Sequence, residues 1–202
     1  DETSASNVIF AYTTRINQLL GGTPYAFVRG HQYAYVYRTA RVTLGSYGLY
    51  SGTQIFSYPP LAAKFSTVSG NFDFVLLTIH TSPSLASVEI PRLRTAMTEV
   101  VTSYSESDVI CLGDFNADNP DAGYFDPGAA GGDLADWSSP TYTTVIKNGA
   151  DTTVSVNNTY TYDRIQLSQT LAEDYTGTKS VFYFGKYYDM RICEGATTTT
   201  GT

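Results

Sequence analysis

Val109-Ile110-Cys111-Leu112-Gly113-Asp114-Phe115-Asn116-Ala117-Asp118 (VICLGDFNAD) decides how the rest of the chain is read. Four consecutive apolar residues predict a strand covered on both faces. The run stops at Gly113, and Asp114, Asn116 and Asp118 follow at once. A buried strand that ends in polar residues is how open α/β sheets present a site at their carboxyl edge. Two carboxylates there repel each other, and a hard divalent cation relieves the repulsion. The same residues also suit an Asx-type turn, with Asp114 and Asn116 holding backbone amides. Ligand set and turn both stay open here.

Outward from this stretch, Asn71 to His80 (NFDFVLLTIH) reads as a second strand, nearly continuous in apolar residues from Phe74 to Ile79. His80 leaves it just before Thr81-Ser82-Pro83, placed either as a proton donor or acceptor or as a structural histidine. Tyr160 to Leu167 reads as a strand that carries Asp163-Arg164, an ordinary ion pair when taken alone. Helices are predicted over 4–20, with Ile9, Tyr12, Ile16, Leu19 and Leu20 as a stripe stopped by Gly21-Gly22, and over 88–104. The second buries Leu93, Met97, Val100, Val101 and Tyr104, and tolerates Pro91 only near its first turn. Shorter strands fall at 33–38, 42–50, 61–65 and 181–185, with a Gly/Pro/Asp-rich loop over 119–140 and a turn at Asn148-Gly149. No repeat or linker divides the chain, so one domain is expected over 1–195, followed by a Thr-rich tail at 196–202.

Composition narrows the class. The chain has 202 residues, 42% of them hydrophobic, which excludes general disorder. Its 17 tyrosines favour pleated surfaces, and a net charge of −7 argues against a broad basic footprint for nucleic acid. A metal ion can still offset that field locally. Cys111 and Cys193 allow one bridge, though Cys111 within its apolar run reads as a buried free thiol. The polar surface and the sequon Asn157-Asn158-Thr159 suit an extracellular protein. No apolar stretch approaches the length of a membrane span, and no leader-like segment opens the chain.

The order strand–His80, strand–GDFN, strand–YDR resembles the deoxyribonuclease I-like endonucleases of the endonuclease/exonuclease/phosphatase superfamily. The similarity is carried by LLTIHTSPSLASVEIPRL (76–93), DVICLGDFNAD (108–118) and DTTVSVNNTYTYDRI (151–165). It extends more weakly through PPLAAKF and YAYVYR, covering about residues 1–185. The resemblance implies an α+β fold: a four-layered α/β/β/α sandwich of the deoxyribonuclease I type, incomplete at its N- and C-terminal strands. It implies a metal-dependent phosphodiesterase, a secreted endonuclease hydrolysing DNA with magnesium at the catalytic site and calcium in a structural one.

Residue by residue, it implies that His80 is the general acid or base and that Asp114 holds the metal and activates water. Asn116 would contact phosphate, Arg164 would help bind substrate, and Asp163 would orient the phosphate or the catalytic network. Asp151 and Thr153 match calcium-binding positions. The chain departs from the family at several points. The family's Asn- and Glu-bearing first strands and its Ser-Asp-His strand have no counterpart between Asp1 and Thr202. His31 or Gln32 stands where a histidine-orienting glutamate is expected, and Tyr58 where a phosphate-binding arginine is expected. The expectation is therefore an incomplete site with open strand edges, completed by a longer gene product or by another chain. The alternative function is a non-catalytic relative that binds a partner or self-assembles.

Overall fold

A computed structural model describes residues 2–118, 137, 142–153 and 159–182, with side chains from residue 7 onward. The sequon at Asn157, most of the 119–140 loop, Cys193 and the tail at 196–202 lie outside the described residues. So does most of the strand expected at 181–185, and its described members, Val181 and Phe182, are not in a strand.

The chain opens with α1 (Glu2–Leu19) and a hairpin, β1 (Tyr25–Gly30) and β2 (Tyr33–Arg38). Then come β3 (Val42–Leu49), β4 (Leu61–Thr67) and β5 (Asp73–His80). A short 3-10 turn (Pro83–Leu85) leads into α2 (Ala86–Tyr104) and β6 (Val109–Asp114). The described part closes with β7 (Tyr142–Thr144), β8 (Asp163–Ser168) and α3 (Gln169–Glu173). Pro91 lies deeper in α2 than expected, because the helix begins at Ala86 rather than Val88.

Six strands form one mixed sheet in the order β3-β4-β5-β6-β8-β7. Among the described strands only β5 and β6 run parallel, and α2 is the crossover that joins them. The remaining pairs are antiparallel. A strand covered on both faces must be apolar at consecutive positions, and β5 and β6 owe their continuous apolar runs to that situation. Val75, Leu77, Ile79, Val109 and Cys111 face α2, meeting Ile90, Leu93, Met97 and Val100 in the larger core. Each such fully buried side chain contributes about 1.5–3 kcal/mol.

On the opposite face, Phe74 and Leu76 of β5 join Leu61, Ala63 and Phe65 of β4 under Val28, Tyr33 and Tyr35 of the hairpin. Alternation then turns Phe27, Arg29 and Ala34 toward the other side of the hairpin. There α1 is tied on by Asn17, whose side chain both donates to and accepts from the Tyr25 backbone, at 2.9 Å each way. The layers are thus α1, hairpin, six-stranded sheet and α2: the four-layered α/β/β/α sandwich expected.

Gly113 fixes the meeting of the two parallel strands. It takes φ +140°, and a Cβ there would collide with the Ile79 carbonyl oxygen. Cys111 is fully buried as a free thiol, and burial pushes its pKa well up, which leaves it unreactive. No helix among the described residues is long and apolar enough to cross a membrane.

Candidate active site at the strand edge

Register alone assembles the site. Asp114 is the Cα partner of His80 on one side and of Asp163 on the other. Side chains of directly opposed residues share a face of the sheet. His80, Asp114 and Asp163 therefore stand in a row across the carboxyl ends of β5 and β6 and the start of β8. His80 Nε2 lies 3.7 Å from Asp114 Oδ2, and both side chains reach solvent.

Asp114 divides its two oxygens. Oδ1 accepts the Asn116 N–H at 2.8 Å and closes an Asx turn, while Oδ2 faces the imidazole. Asn116 and Asp118 sit at φ +46° and +57°, a left-handed backbone that Asn and Asp tolerate better than most residues. The Asp163 carboxyl is held above the ordinary carboxylate range, first by lost solvation and then by the charge of Asp114. The Thr152 hydroxyl and His80 pull it part of the way back.

Backbone lacing keeps the three strand ends together. Thr81 donates its N–H to the Asp114 carbonyl at 3.0 Å and its hydroxyl to the Phe115 carbonyl at 2.7 Å. Phe115 N–H in turn donates to the Tyr162 carbonyl at 2.9 Å. Asn116, expected at a phosphate, is nearly buried and donates its side-chain N–H to the Thr81 carbonyl at 2.9 Å. That bond makes it a tie between the loops after β5 and β6.

Arg164 requires a correction. Alternation places it on the α2 side of the sheet, away from Asp163, where it is 1% exposed and donates to the Ile146 carbonyl at 3.3 Å. A guanidinium so enclosed serves the interior and not a substrate. Asp151 and Thr153 form a second Asx-type turn, with Asp151 Oδ1 accepting the Thr153 N–H and hydroxyl at 3.0 and 2.9 Å. Between them Thr152 Oγ1 accepts the Asp163 N–H at 3.0 Å, so this loop braces the end of the row.

Three positioning residues escaped the sequence reading. Tyr33 Oη accepts the His80 N–H at 3.1 Å and donates to the Tyr58 carbonyl at 3.2 Å. Glu89, buried in the first turn of α2, accepts Ser57 N–H at 2.6 Å and Ser82 N–H at 2.7 Å. Thr81 is the third. The only forewarning was an acid in the first turn of a helix, a place the helix dipole favours.

Asp114 and Asp163 fit a hard divalent cation in donor chemistry, and their mutual repulsion is what such a cation relieves. They are a pair rather than a closed shell. Among the described residues no group of three or more His, Cys, Asp or Glu side chains is arranged to hold a metal ion.

The architecture and the edge site place the chain in the class of deoxyribonuclease I-type sandwiches. A solved structure of humanized D. rerio TDP2 carrying 14 mutations superposes with a TM-score of 0.51 at 16% identity, over 78% of this chain and 66% of that one, a likeness of fold. No family model matches the chain. Deoxyribonuclease-1-like 1 of Chlorocebus aethiops is 31% identical over 183 residues, 89% of this chain and 57% of that protein. Deoxyribonuclease gamma of Mus musculus is 30% identical over 187 residues, 89% of this chain and 58% of its own length. The chain is a homologue of the deoxyribonuclease-1-like proteins, and it spans a little over half the length of these two.

Proposed function

We propose that the chain belongs to a secreted, divalent-metal-dependent endonuclease that hydrolyses DNA phosphodiester bonds at the His80–Asp114–Asp163 row. The observation that carries the reading is the register, which sets an exposed imidazole and two carboxylates side by side on three neighbouring strands. In hydrolysis a water oxygen forms a new bond to phosphorus and the bond to the leaving oxygen breaks. His80 Nε2 moves the proton in that exchange, a role worth on the order of 10²–10⁴-fold in rate. Asp114 Oδ2 faces the imidazole at 3.7 Å, and the Asn116 N–H on Oδ1 fixes how the carboxylate is turned. Magnesium held by Asp114 with Asp163 would neutralise charge on the phosphate oxygens. Calcium at Asp151 and Thr153 would stiffen the loop that braces Asp163.

Secretion is proposed from the polar surface and the sequon, and DNA from the names of the relatives. The test is nicking of supercoiled plasmid by the purified full-length gene product with magnesium and calcium, lost on chelation and lost in His80→Ala. A full-length product without metal-dependent cleavage would overturn the reading.

A second reading is favoured by one observation, the lack of a metal-holding cluster among the described residues. On that reading the fold is kept as a binding or self-assembling module. Concentration-dependent association in sedimentation velocity, together with no cleavage, is its expected signature.

A further inference from the structure

The row meets an approaching polyanion with two carboxylates and one imidazole, and Arg164, the cation of β8, is enclosed. Cations stand further along the same edge. Strand β7 pairs with β8 from Tyr142–Ser168 to Thr144–Gln166, and Val145 N–H carries the pairing on to the Ile165 carbonyl at 2.8 Å. The chain therefore leaves the sheet at Ile146 and Lys147, beside the start of β8 and at the end where Asp163 stands. There it makes a four-residue turn, closed by Ala150 N–H donating to the Lys147 carbonyl at 3.2 Å. Gly149 takes φ +87° at the third position, where such a turn needs glycine. Thr161, fully buried two residues before Asp163, locks the turn in place. Its Oγ1 accepts the Gly149 N–H at 3.2 Å and donates to the Ala150 carbonyl at 2.6 Å. A cavity of about 450 Å³ lies against this turn, lined by Lys147, Asn148 and Gly149 and by Lys179 and Ser180. Lys179 is exposed and makes no ion pair among the described residues. Two of the chain's 12 lysines and arginines thus share one cavity in a chain of net charge −7, a local field that draws anions where the overall charge repels them.

We propose that the Lys147–Lys179 cavity is a phosphate site, which holds a backbone phosphate flanking the scissile one. The proposal rests on the phosphodiesterase reading and says how an acidic chain keeps a polyanion at an acidic row. A phosphate in the cavity meets two ammonium groups, and the Ser180 hydroxyl is a further donor beside them. Because Thr161 already locks the turn, little ordering is left for the binding step to supply. The volume lies at the small end of ligand sites and suits one phosphate with its sugar. Contacts to phosphate position a duplex without reading its sequence, so the site should act equally on all sequences.

The test is binding of a short DNA duplex to the full-length gene product carrying His80→Ala, so that no strand is cut, with magnesium present and salt varied from about 50 to 200 mM. Lys147→Gln and Lys179→Gln are each expected to lower the slope of log K against log salt by about 1, and the double variant by about 2. The loss should be equal for AT-rich and GC-rich duplexes, and arginine at either position should retain the slope. An unchanged slope in the double variant overturns the site, as does an arginine variant as weak as the glutamine one. Orthophosphate is the second probe, followed with the duplex by NMR on the amides of Gly149, Ala150 and Ser180. The duplex is expected to shift all three. Orthophosphate shifting them while the duplex leaves them unmoved assigns the cavity to a free phosphate and overturns the backbone site. Plasmid cleavage by the lysine variants with His80 intact keeps the two ideas apart, and is expected to lose about tenfold in kcat/KM through KM. Duplex binding that depends on both lysines, without cleavage by the full-length product, counts against the phosphodiesterase reading alone. Cleavage whose KM and salt dependence ignore the lysines counts against the phosphate site alone.

Discussion

At Asp114, one oxygen keeps a turn and the other faces His80, so the two interpretations open in the sequence coexist in one carboxylate. Removing His80 should therefore separate chemistry from stability. His80→Ala is expected to lower cleavage by about 10²–10⁴-fold, while the melting curve moves by no more than about 0.5 kcal/mol, as for other half-exposed positions. Asp163 behaves differently. Its folded pKa is raised, so the folded chain binds more protons than the unfolded one between about 3.9, the unfolded carboxylate value, and the raised folded value. Stability then falls as pH rises through that window. Asp163→Asn removes the penalty and is expected to raise the melting temperature at neutral pH, with the gain gone below the unfolded value. Thermal melts at the two pH values check it, and a lower melting temperature at neutral pH would mean that the bonds of Asp163 outweigh its lost solvation.

Among the elements, the parallel pair β5–β6 and its crossover helix α2 carry the site, and they are also the part most legible in the sequence. Burial on both faces demands unbroken apolar runs, and VICL and FVLLTI are such runs. Strand β7, with three residues, and helix α3, with five, are too short for a period to emerge and went unread. The strand predicted from Tyr160 begins instead at Asp163, because the Tyr160 and Tyr162 carbonyls accept from Thr152 and Phe115 in the loops. His80, Asp114 and Asp163 could be singled out by type and position, but the contacts of Tyr33, Thr81 and Glu89 join distant segments and leave no local trace. Arg164 was misread because adjacency to Asp163 in sequence means opposite faces of a strand. Two substitutions test the element scale. Gly113→Ala must displace the Ile79 carbonyl and is expected to cost about 2–3 kcal/mol in a denaturant melt. Glu89→Gln turns an NH2 toward one of the two backbone N–H groups the carboxylate serves. It is expected to cost about 1.5–3 kcal/mol by the same measurement and to lower cleavage through the displaced Ser57 and Ser82 loops.

Across the whole molecule the two cores are unequal, and that inequality sets where the fold should open first. The α2 core joins helix and central strands through residues such as Ile90, Leu93 and Leu77, all fully buried. The outer layer of α1 and hairpin leaves Val8, Phe10 and Leu19 more than half exposed. Local opening follows the density of buried apolar contact, so amides of β5 and β6 should be the slowest to exchange and those of α1 the fastest among the helices and strands. Ile90→Ala is expected to cost about 2–5 kcal/mol, against under about 0.5 kcal/mol for Val8→Ala. Native-state hydrogen exchange of both variants is the check. Ile90→Ala should raise exchange rates across β5, α2 and β6 together, because these elements share one core, and Val8→Ala should leave them unmoved. Since His80 and Asp114 end those two strands, the site then sits on the last part of the molecule to open. Equal protection in both layers of the free protein would remove the basis for that division.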